Sequence, residues 1–353
     1  MGYVPVLEVT RGDVVESIHF GAVAVADPQG RLYAWLGDPA TVTYLRSSAK
    51  PFQILPLLES GAAKRYDFSP RQIAIISASH TGTDEHVAVV QSIQERVGLS
   101  ESDLLCGTHT PDDAETARRL RAAGLQPTPL RHNCSGKHSG MLTLARFLGE
   151  PTDDYINPTH PVQQRILSAF AEMAGLQPGE VHVGIDGCSA PNFAIPLLSA
   201  ATAFARLADP SGLGGVRREA CQTVFGAMTT HADMVRGPGE FDTLLMRAGG
   251  GQVLSKSGAE GYYALALRPG AAGPGAPALG IAAKVSDGDL GRRIDNPPGN
   301  RAGCRMILEV LAQLGAWTAE QTEAMSAFGP GPVTNKRWLK VGEMRTCFRL
   351  ARG

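Results

Sequence analysis

Strand-type sequence lies near both ends of this chain, and a long region of helical periodicity separates the two. Residues 16–25 and 31–37 are rich in β-branched and aromatic residues, and the turn Asp27–Gly30 between them predicts a β-hairpin. The strand pattern returns only after residue 250, in the segments 252–258, 261–267 and 278–285. Because the backbone groups of a strand need partners, the early and late strands are expected to pair in one antiparallel sheet.

The region between these strands carries apolar residues at helical spacing. Helices are predicted at 70–76, 84–97, 112–123, 136–148, 160–173, 193–207, 216–235 and 242–248, with one short strand at 181–185. After the last hairpin, a loop and helix cap are predicted at 295–300 and helices at 301–314 and 318–328, while the residues beyond 328 receive no assignment. The predicted fold class is therefore α+β, with an antiparallel sheet flanked by helices and a mostly helical middle lobe. Residues 1–68 and 250–353 would form a discontinuous sheet lobe and residues 69–249 the helical lobe, with an active site between them.

Composition argues for an ordinary globular protein and against several kinds of partner. The 353 residues are 43% hydrophobic and 19% charged, with a net charge of -1, so neither nucleic acid nor an anionic membrane is an expected partner. The segment Met1–Glu8 lacks the basic and apolar regions of a signal peptide, and no apolar run is long enough to predict a membrane span. Six scattered cysteines are expected to be reduced thiols, which predicts a cytoplasmic protein.

Two short motifs place a serine and a lysine where acyl-transfer chemistry could use them. In the segment Arg46–Pro51, Ser47 and Lys50 are three residues apart, which on a helix puts both on one face. A lysine whose charge is disfavoured by burial could accept the serine's proton. Lys256-Ser257-Gly258, on a predicted strand, matches the element that accompanies Ser-x-x-Lys in penicillin-recognising enzymes. Each motif alone also fits a helix cap or a strand-end lysine, but their order in one chain favours catalysis.

Two polar segments of the helical region could contribute further to a site. The loop Ser77–Thr83 is dense in hydroxyl groups, which could cap helices or form a polar wall facing a substrate. The segment Arg131–Gly140 opens an apolar helix, and the free N–H groups of a helix start suit a carboxylate.

Cysteines in the second polar segment suggest a metal site. Cys134 and His138 are four residues apart, and the segment Asp186-Gly187-Cys188 could add a thiolate and a carboxylate. Zinc bound by Cys134, Cys188 and a nitrogen ligand is one interpretation of this set. Two small buried structural cysteines are the other.

Together these segments resemble the asparaginase II family of rhizobial type, the class 3 L-asparaginases. The resemblance covers nearly the whole chain and rests on five segments in order: Arg46–Pro51, Ser77–Gly82, His132–His138, Gly184–Pro191 and Lys256–Gly258. It implies a fold similar to that of serine β-lactamases and glutaminases, which agrees with the strand and helix order. It also implies hydrolysis of L-asparagine to L-aspartate and ammonia. A homodimer is expected, as is common for apolar-rich two-lobed cytoplasmic enzymes.

The resemblance also implies roles for particular residues. It implies two Ser–Lys pairs, Ser47 with Lys50 and Ser79 with Lys256, and a zinc ion whose role it leaves open. The implied zinc ligands are Cys134, Cys188 and Lys137, and a lysine must be neutral to bind a metal. The substrate would be bound by Arg46, His138, Asp186, Asn133 and Thr81.

The expected mechanism is attack by Ser47 on the side-chain amide carbon with Lys50 as base, giving an acyl-enzyme. Ser79 and Lys256 would pass a proton to the departing ammonia, and the family also leaves room for Ser79 as the attacking group. Two other functions compete with this one: a penicillin-recognising serine acyl hydrolase, and a non-catalytic zinc-stabilised amino-acid binding protein. The preference for asparagine over glutamine, one methylene longer, cannot be predicted from the sequence.

Overall fold

The protein is described by a computed structural model that covers residues 2–289 and 301–353. Its contacts divide the chain into two compact units. Unit 1 comprises residues 1–48, 195–209 and 244–353, and unit 2 comprises residues 49–194 and 210–243. The predicted lobes were bounded at 68/69 and 249/250, and that domain assignment stays a prediction. The loop and cap predicted at 295–300 lie outside the described residues.

The strands occur mainly near the two ends of the chain, as the sequence pattern indicates. They are β1 Val4–Arg11, β2 Val14–Ala26, β3 Leu32–Leu36, β4 Val42–Tyr44, β5 His182–Ile185, β6 Pro191–Pro196, β7 Val253–Ser257, β8 Tyr262–Leu267, β9 Leu279–Val285, β10 Gly331–Thr334, β11 Lys340–Thr346 and β12 Ala351–Arg352.

The α-helices lie mainly between β4 and β7. They are α1 Lys50–Gln53, α2 Leu55–Glu59, α3 Ala62–Arg65, α4 Pro70–Ile76, α5 Asp84–Val97, α6 Ala114–Ala122, α7 Ser135–Leu148, α8 Pro161–Ala174, α9 Leu197–Ala208, α10 Gly215–Thr230, α11 Ala232–Val235, α12 Phe241–Ala248, α13 Gly303–Leu314 and α14 Ala319–Ala324. None of the helices in the described part of the chain is long and apolar enough to cross a membrane.

The main sheet, in unit 1, confirms the predicted pairing of early with late strands. Its order is β10-β11-β1-β2-β9-β8-β7, and β3 pairs with both β2 and β12. The central junction is antiparallel, with Val23 of β2 opposite Ala283 of β9. The α+β fold class predicted from the sequence is therefore confirmed.

Helices cover both faces of this sheet at β8 and β9, whose residues are all buried. Gly280 of β9 lies directly under α9, where an added Cβ would come within 1.8 Å of the Ala201 carbonyl oxygen. Tyr263 of β8 lies on the opposite face, because Ala266 pairs with Gly280 and side chains alternate along a strand. The Tyr263 ring packs against Gly303 at the start of α13. Unit 1 therefore has a layer of helix on each side of its sheet.

Unit 2 contains α7, which is buried from Ser135 to Ala145. Gly136 and Gly140 are four residues apart and so share one face of this helix. An added Cβ would lie 2.2 Å from the Ile75 carbonyl oxygen at Gly136 and 2.5 Å from the Ile76 side chain at Gly140. The two glycines thus let α7 approach the end of α4 closely, next to the loop that contains Ser79.

Most predicted elements are confirmed, including α5, whose bounds agree with the prediction. The predicted helix 193–207 is wrong in its first residues, because β6 extends to Pro196 and α9 begins at Leu197. A continuous apolar run does not distinguish a buried strand from a helix, and the pairing of β6 with β5 decides it. The predicted helix 216–235 is interrupted at His231, whose φ of -114° and ψ of 53° are not helical.

The sequence analysis missed strands that depend on distant partners. β1 was not predicted, although it pairs with both β2 and β11. β10 and β11 occupy the tail that received no assignment, and they pair with each other.

Candidate active site

Lys50 lies at the centre of a polar cluster in unit 2. The chain reaches it through a 3₁₀ turn, Arg46–Ala49, that leads directly into α1. Lys50 Nζ donates to Ser79 Oγ at 2.7 Å and to the Ala78 carbonyl oxygen at 2.6 Å. Burial lowers the pKa of Lys50, against the opposing effect of the nearby Cys134 sulfur. A lysine with a lowered pKa in contact with a hydroxyl group is an arrangement suited to proton transfer.

Backbone hydrogen bonds hold the loop that carries Ser79. The Ser79 N–H donates to the Val235 carbonyl oxygen at 3.0 Å, and the Thr81 N–H donates to the Arg236 carbonyl oxygen at 2.8 Å. Between them, His80 Nε2 and Ser135 Oγ share a hydrogen bond of 2.9 Å. Burial holds the pKa of His80 well below its ordinary value, so this imidazole is neutral near pH 7. The loop is therefore tied both to α7 and to the end of α11.

Cys134, Lys137 and Cys188 form a second buried group in unit 2. Lys137 Nζ donates to Cys188 Sγ at 2.9 Å. A hydrogen bond from the Cys134 thiol, followed by the charge of Lys137, lowers the pKa of Cys188, whereas the same pairing raises the pKa of Cys134. Burial alone would lower the pKa of Lys137, but the Cys188 and Cys134 sulfurs outweigh it and raise that pKa. These shifts favour a negative charge on Cys188 and a positive charge on Lys137.

The turn between β5 and β6 places Cys188 beside Lys137. The Asp186 N–H donates to the Ala190 carbonyl oxygen, and Ser189 has a left-handed backbone with φ of 69°. Asp186 itself is partly exposed, and its charge contributes to the raised pKa of Lys137. The predicted metal ligands and a predicted substrate-binding carboxylate thus lie near one another.

Two predicted substrate-binding groups are buried with an unused hydrogen-bonding atom. His138 Nδ1 contacts the Tyr155 hydroxyl at 2.6 Å, whereas its Nε2 atom has no hydrogen-bond partner within residues 2–289 and 301–353. Thr81 Oγ1 is likewise buried without a partner among the described residues. Asn133 is partly buried, and its N–H donates to His109 Nε2 at 3.0 Å. Buried polar atoms without partners are uncommon, which is consistent with a ligand-binding role.

Unit 1 contains the other predicted catalytic residues, Ser47 and Lys256, and also Arg46. Ser48 Oγ donates to the Lys256 carbonyl oxygen at 2.6 Å, so the turn Arg46–Ala49 is attached to β7. Gly258 permits this contact, because an added Cβ would lie 2.4 Å from the Leu45 carbonyl oxygen.

The polar ends of Lys256 and Arg46 contact different groups within unit 1. Lys256 is buried, and its Nζ atom donates to the Ser257 carbonyl oxygen at 2.6 Å. Arg46 has a φ of 51°, and its Nη1 atom lies 3.9 Å from Glu260 Oε1. The predicted pairs Ser47–Lys50 and Ser79–Lys256 both join residues of different units, and both stay predictions.

Metal ligands are restricted by the residue types present. In the described part of the chain, no three His, Cys, Asp or Glu side chains are grouped so as to hold a metal ion. Any site built on Cys134 and Cys188 therefore needs a donor of another type, and Lys137 is in contact with Cys188.

Several residues near Lys50 were not expected from the sequence. The contact of Lys50 with Ser79 was not predicted, because it joins residues 29 apart through the packing of separate helices. Tyr155 carried no recognisable signal. Arg236 was not among the predicted site residues, yet its Nη1 atom donates to the Ser79 carbonyl oxygen at 3.0 Å.

A buried lysine against a serine hydroxyl, next to a cysteine pair, is more typical of a functional site than of a packed core. The family model for L-asparaginase II matches residues 7–346 of the chain. The chain therefore belongs to the L-asparaginase II family of amidohydrolases, as the resemblance in its motifs implied.

Comparisons with curated protein sequences and with solved structures show less similarity than the family model does. A comparison with curated protein sequences finds no match. Among solved structures, Mglu in its tris and glutamate form is similar over 87% of this chain and 59% of its own, at 14% identity and a TM-score of 0.43. The chain thus spans about three fifths of that Mglu chain. The Bacillus subtilis glutaminase YbgJ, in covalent complex with 5-oxo-L-norleucine, is similar over 83% of this chain and 87% of its own, at 15% identity and a TM-score of 0.38. At these values the activity of this chain is not assigned from either structure.

Proposed function

We propose that this chain hydrolyses L-asparagine to L-aspartate and ammonia through an acyl-enzyme on serine. The observation that carries the proposal is the hydrogen bond between Lys50 Nζ and Ser79 Oγ, made by a buried lysine whose pKa is lowered. Such a lysine is more often neutral near pH 7 than an exposed one and can accept a proton from a hydroxyl group. Membership of the L-asparaginase II family supports the choice of substrate.

In the first step, Ser47 Oγ forms a bond to the side-chain amide carbon of asparagine, and its proton passes to Lys50. The Ser47-x-x-Lys50 spacing in the sequence supports this assignment, because on a helix it would place both groups on one face. Collapse of the tetrahedral intermediate breaks the carbon–nitrogen bond and leaves an ester on Ser47.

The departing nitrogen needs a proton to leave as ammonia. The contact of Lys50 with Ser79 supports a route in which Lys50 protonates Ser79 as Ser79 gives its own proton to the nitrogen. Lys256 assists in this step by its positive charge. Water then attacks the ester along the same route in reverse, releasing aspartate and restoring Ser47.

The α-carboxylate and α-amino groups of the substrate are assigned to Arg46, Asn133, Thr81, His138 and Asp186. The guanidinium of Arg46 suits the carboxylate, and the carboxylate of Asp186 suits the ammonium. The unused buried atoms, Thr81 Oγ1 and His138 Nε2, support a polar ligand at these residues. A buried polar atom without a partner is costly, so a hydrogen bond from the substrate to each of these atoms would stabilise the enzyme–substrate complex.

Zinc is part of the proposal, with Cys134, Cys188 and Lys137 as its ligands. The donor set fits the ion once Lys137 gives up its proton, because two thiolate sulfurs and a neutral amine nitrogen are ligands that zinc accepts. The contact of Lys137 Nζ with Cys188 Sγ supports the choice of Lys137. When bound, zinc would supply a Lewis acid near the substrate and replace Lys137 as the charge that balances the thiolates.

The zinc assignment is tested by metal analysis of the purified protein. We expect about one zinc per chain in the parent and a loss of metal in Cys188→Ser and Lys137→Met. The variant Cys221→Ser removes a buried cysteine of α10 outside the site and should keep its zinc. Equal zinc in Cys188→Ser and the parent would contradict the assignment.

The function is tested by measuring ammonia release from L-asparagine, with L-glutamine and a chromogenic β-lactam as comparison substrates. We expect turnover of asparagine by the parent and none by Ser47→Ala. Mass spectrometry of enzyme quenched during turnover should locate the acyl group on Ser47. An acyl group on Ser79 would instead assign the attack to Ser79, whereas an unmodified protein that still turns over would exclude covalent catalysis. Asparagine binding without turnover would favour an amino-acid binding protein, and β-lactam hydrolysis alone would favour a penicillin-recognising enzyme.

A further inference from the structure

Val235 and Arg236, at the end of α11, together hold the backbone of Ser79 and Thr81. The guanidinium Nη1 of Arg236 donates to the Ser79 carbonyl oxygen at 3.0 Å. The backbone carbonyl oxygens of Val235 and Arg236 accept the N–H groups of Ser79 and Thr81. Ser79 is therefore held by its backbone, which leaves its hydroxyl group free to contact Lys50.

Carboxylates fix the direction of this guanidinium. Nη1 lies 3.1 Å from Asp112 Oδ2, and Nε lies 3.3 Å from Glu240 Oε2. Burial opposes the charge of Arg236, but Asp112, Glu240 and the buried Asp242 outweigh it and raise the pKa of the guanidinium. A planar donor oriented by two ion pairs makes a more directional contact with a carbonyl oxygen than a flexible ammonium does.

Gly237, the residue after Arg236, packs closely against the same loop. Gly237 has a φ of 151°, and an added Cβ would lie 2.3 Å from Thr81 Oγ1. The segment 235–237 and the loop 79–81 are thus in contact along their backbones as well as through the guanidinium. All of these residues belong to unit 2, so the contact lies within that unit.

We propose that Arg236 is a positioning residue for the amidohydrolase reaction, holding the Ser79 peptide so that Ser79 Oγ stays within hydrogen-bond reach of Lys50 Nζ. The inference rests on the proposed function, in which Ser79 passes a proton. A group in that role must be aligned in the transition state, and a displacement of about 1 Å can lower a rate by about 100-fold. Arg236 itself is not assigned a contact with the substrate.

The test compares Arg236→Lys with Glu240→Gln. The lysine keeps the positive charge but cannot hold both carboxylates and the Ser79 carbonyl oxygen in one plane. Glu240→Gln removes one negative charge beside the same guanidinium but keeps an amide oxygen that can accept from Nε, so the guanidinium should stay oriented and keep its bond to Ser79. We expect kcat for asparagine to fall about 10- to 100-fold in Arg236→Lys, with KM within about twofold of the parent, and both constants to stay near parental values in Glu240→Gln.

A second measurement does not depend on activity. Hydrogen exchange of the peptide containing Ser79 and Thr81, followed by mass spectrometry, should be faster in Arg236→Lys than in the parent and unchanged in Glu240→Gln. If Arg236→Lys does not fold, Arg236→Gln provides the same comparison with a neutral donor.

The outcomes separate this inference from the proposed function. A parent that releases no ammonia from asparagine overturns the function, and the exchange measurement then still decides whether Arg236 holds the loop. An active parent whose Arg236 variants keep both kcat and slow exchange overturns the positioning role alone. Losses of kcat that only follow thermal stability, equal in the Arg236 and Glu240 variants, also overturn it.

Discussion

Lys50 combines full burial with three potential hydrogen-bond acceptors, which is unusual for a lysine. Its Nζ atom contacts the Ser79 hydroxyl and the Ala78 carbonyl oxygen, and the Asn133 carbonyl oxygen lies 3.5 Å away. An ammonium in this position is stabilised by these oxygens but destabilised by burial, and burial dominates because the pKa is lowered. The group can therefore change its protonation state during a reaction at much less cost than an exposed lysine.

Replacing Lys50 with methionine should abolish most of the activity. The substitution keeps the length of the side chain but removes the base, and a general base contributes about 10²–10⁴-fold to a rate. We expect ammonia release from asparagine to fall by that factor in Lys50→Met. The matched control is Lys64→Met, at an exposed lysine of α3, which should keep parental activity. Activity retained in Lys50→Met would remove this lysine from the mechanism.

The pH dependence of activity should follow the lowered pKa of Lys50. The base must be neutral before it can accept the serine proton, so kcat/KM should rise with pH and level off above this pKa. The rise should be centred below about 10.4, the ordinary value for a lysine, because burial favours the neutral form. Measurement of kcat/KM for asparagine between about pH 6 and about pH 10 checks the direction. A rate that increases as the pH is lowered through this range would argue against Lys50 as the base.

The packing of α7 on α4 sets the positions of the site residues in unit 2. α4 ends at Ile76, just before the loop that contains Ser79, and α7 begins at Ser135 beside Cys134. Gly136 and Gly140 bring these two ends together because they present no side chain to Ile75 and Ile76. The two glycines of α7 therefore help to set the position of Ser79, which lies more than fifty residues earlier in the chain.

Substituting Gly136 by alanine should be destabilising, since the new Cβ would lie 2.2 Å from the Ile75 carbonyl oxygen. Overpacking of this kind costs about 1–3 kcal/mol, and urea unfolding should show that loss in the free energy of unfolding. The control is Gly226→Ala inside α10, where an added Cβ meets nothing within 4 Å. That variant should gain about 0.5–1 kcal/mol from the higher helix propensity of alanine. Equal stability of Gly136→Ala and the parent would show that the two helices do not need this close approach.

Among the elements, long amphipathic helices and the hairpin strands could be predicted from the sequence. α5 and α8 bury residues at helical spacing, and β2 with β3 surrounds an evident turn. β1 and β11 were not predicted, although each also pairs with a neighbour along the chain, β2 and β10 respectively. Their pairing with each other joins residues more than 300 apart, which no local pattern shows. The start of α9 was misplaced because the buried strand β6, which immediately precedes it, is also mostly apolar.

The oligomeric state is a property of the whole molecule, and the sequence-based expectation of a homodimer stays a prediction. We expect sedimentation equilibrium of the purified protein to give about twice the chain mass of 37.2 kDa. The measurement should be repeated over a range of protein concentrations, because dimerisation depends on mass action. A mass equal to that of one chain throughout this range would contradict the prediction.

For the molecule as a whole, the residue types and their order were sufficient to predict the α+β class, the family and the candidate residues from Ser47 to Lys256. Periodicity and short motifs are local, so they identify helices, strands and reactive side chains without showing which of them meet. The contacts of Lys50 with Ser79, of Lys137 with Cys188 and of Arg236 with the Ser79 peptide join residues 29, 51 and 157 apart. Such contacts depend on how closely separate elements pack, and that packing follows from burial and backbone pairing over the folded chain rather than from any single segment.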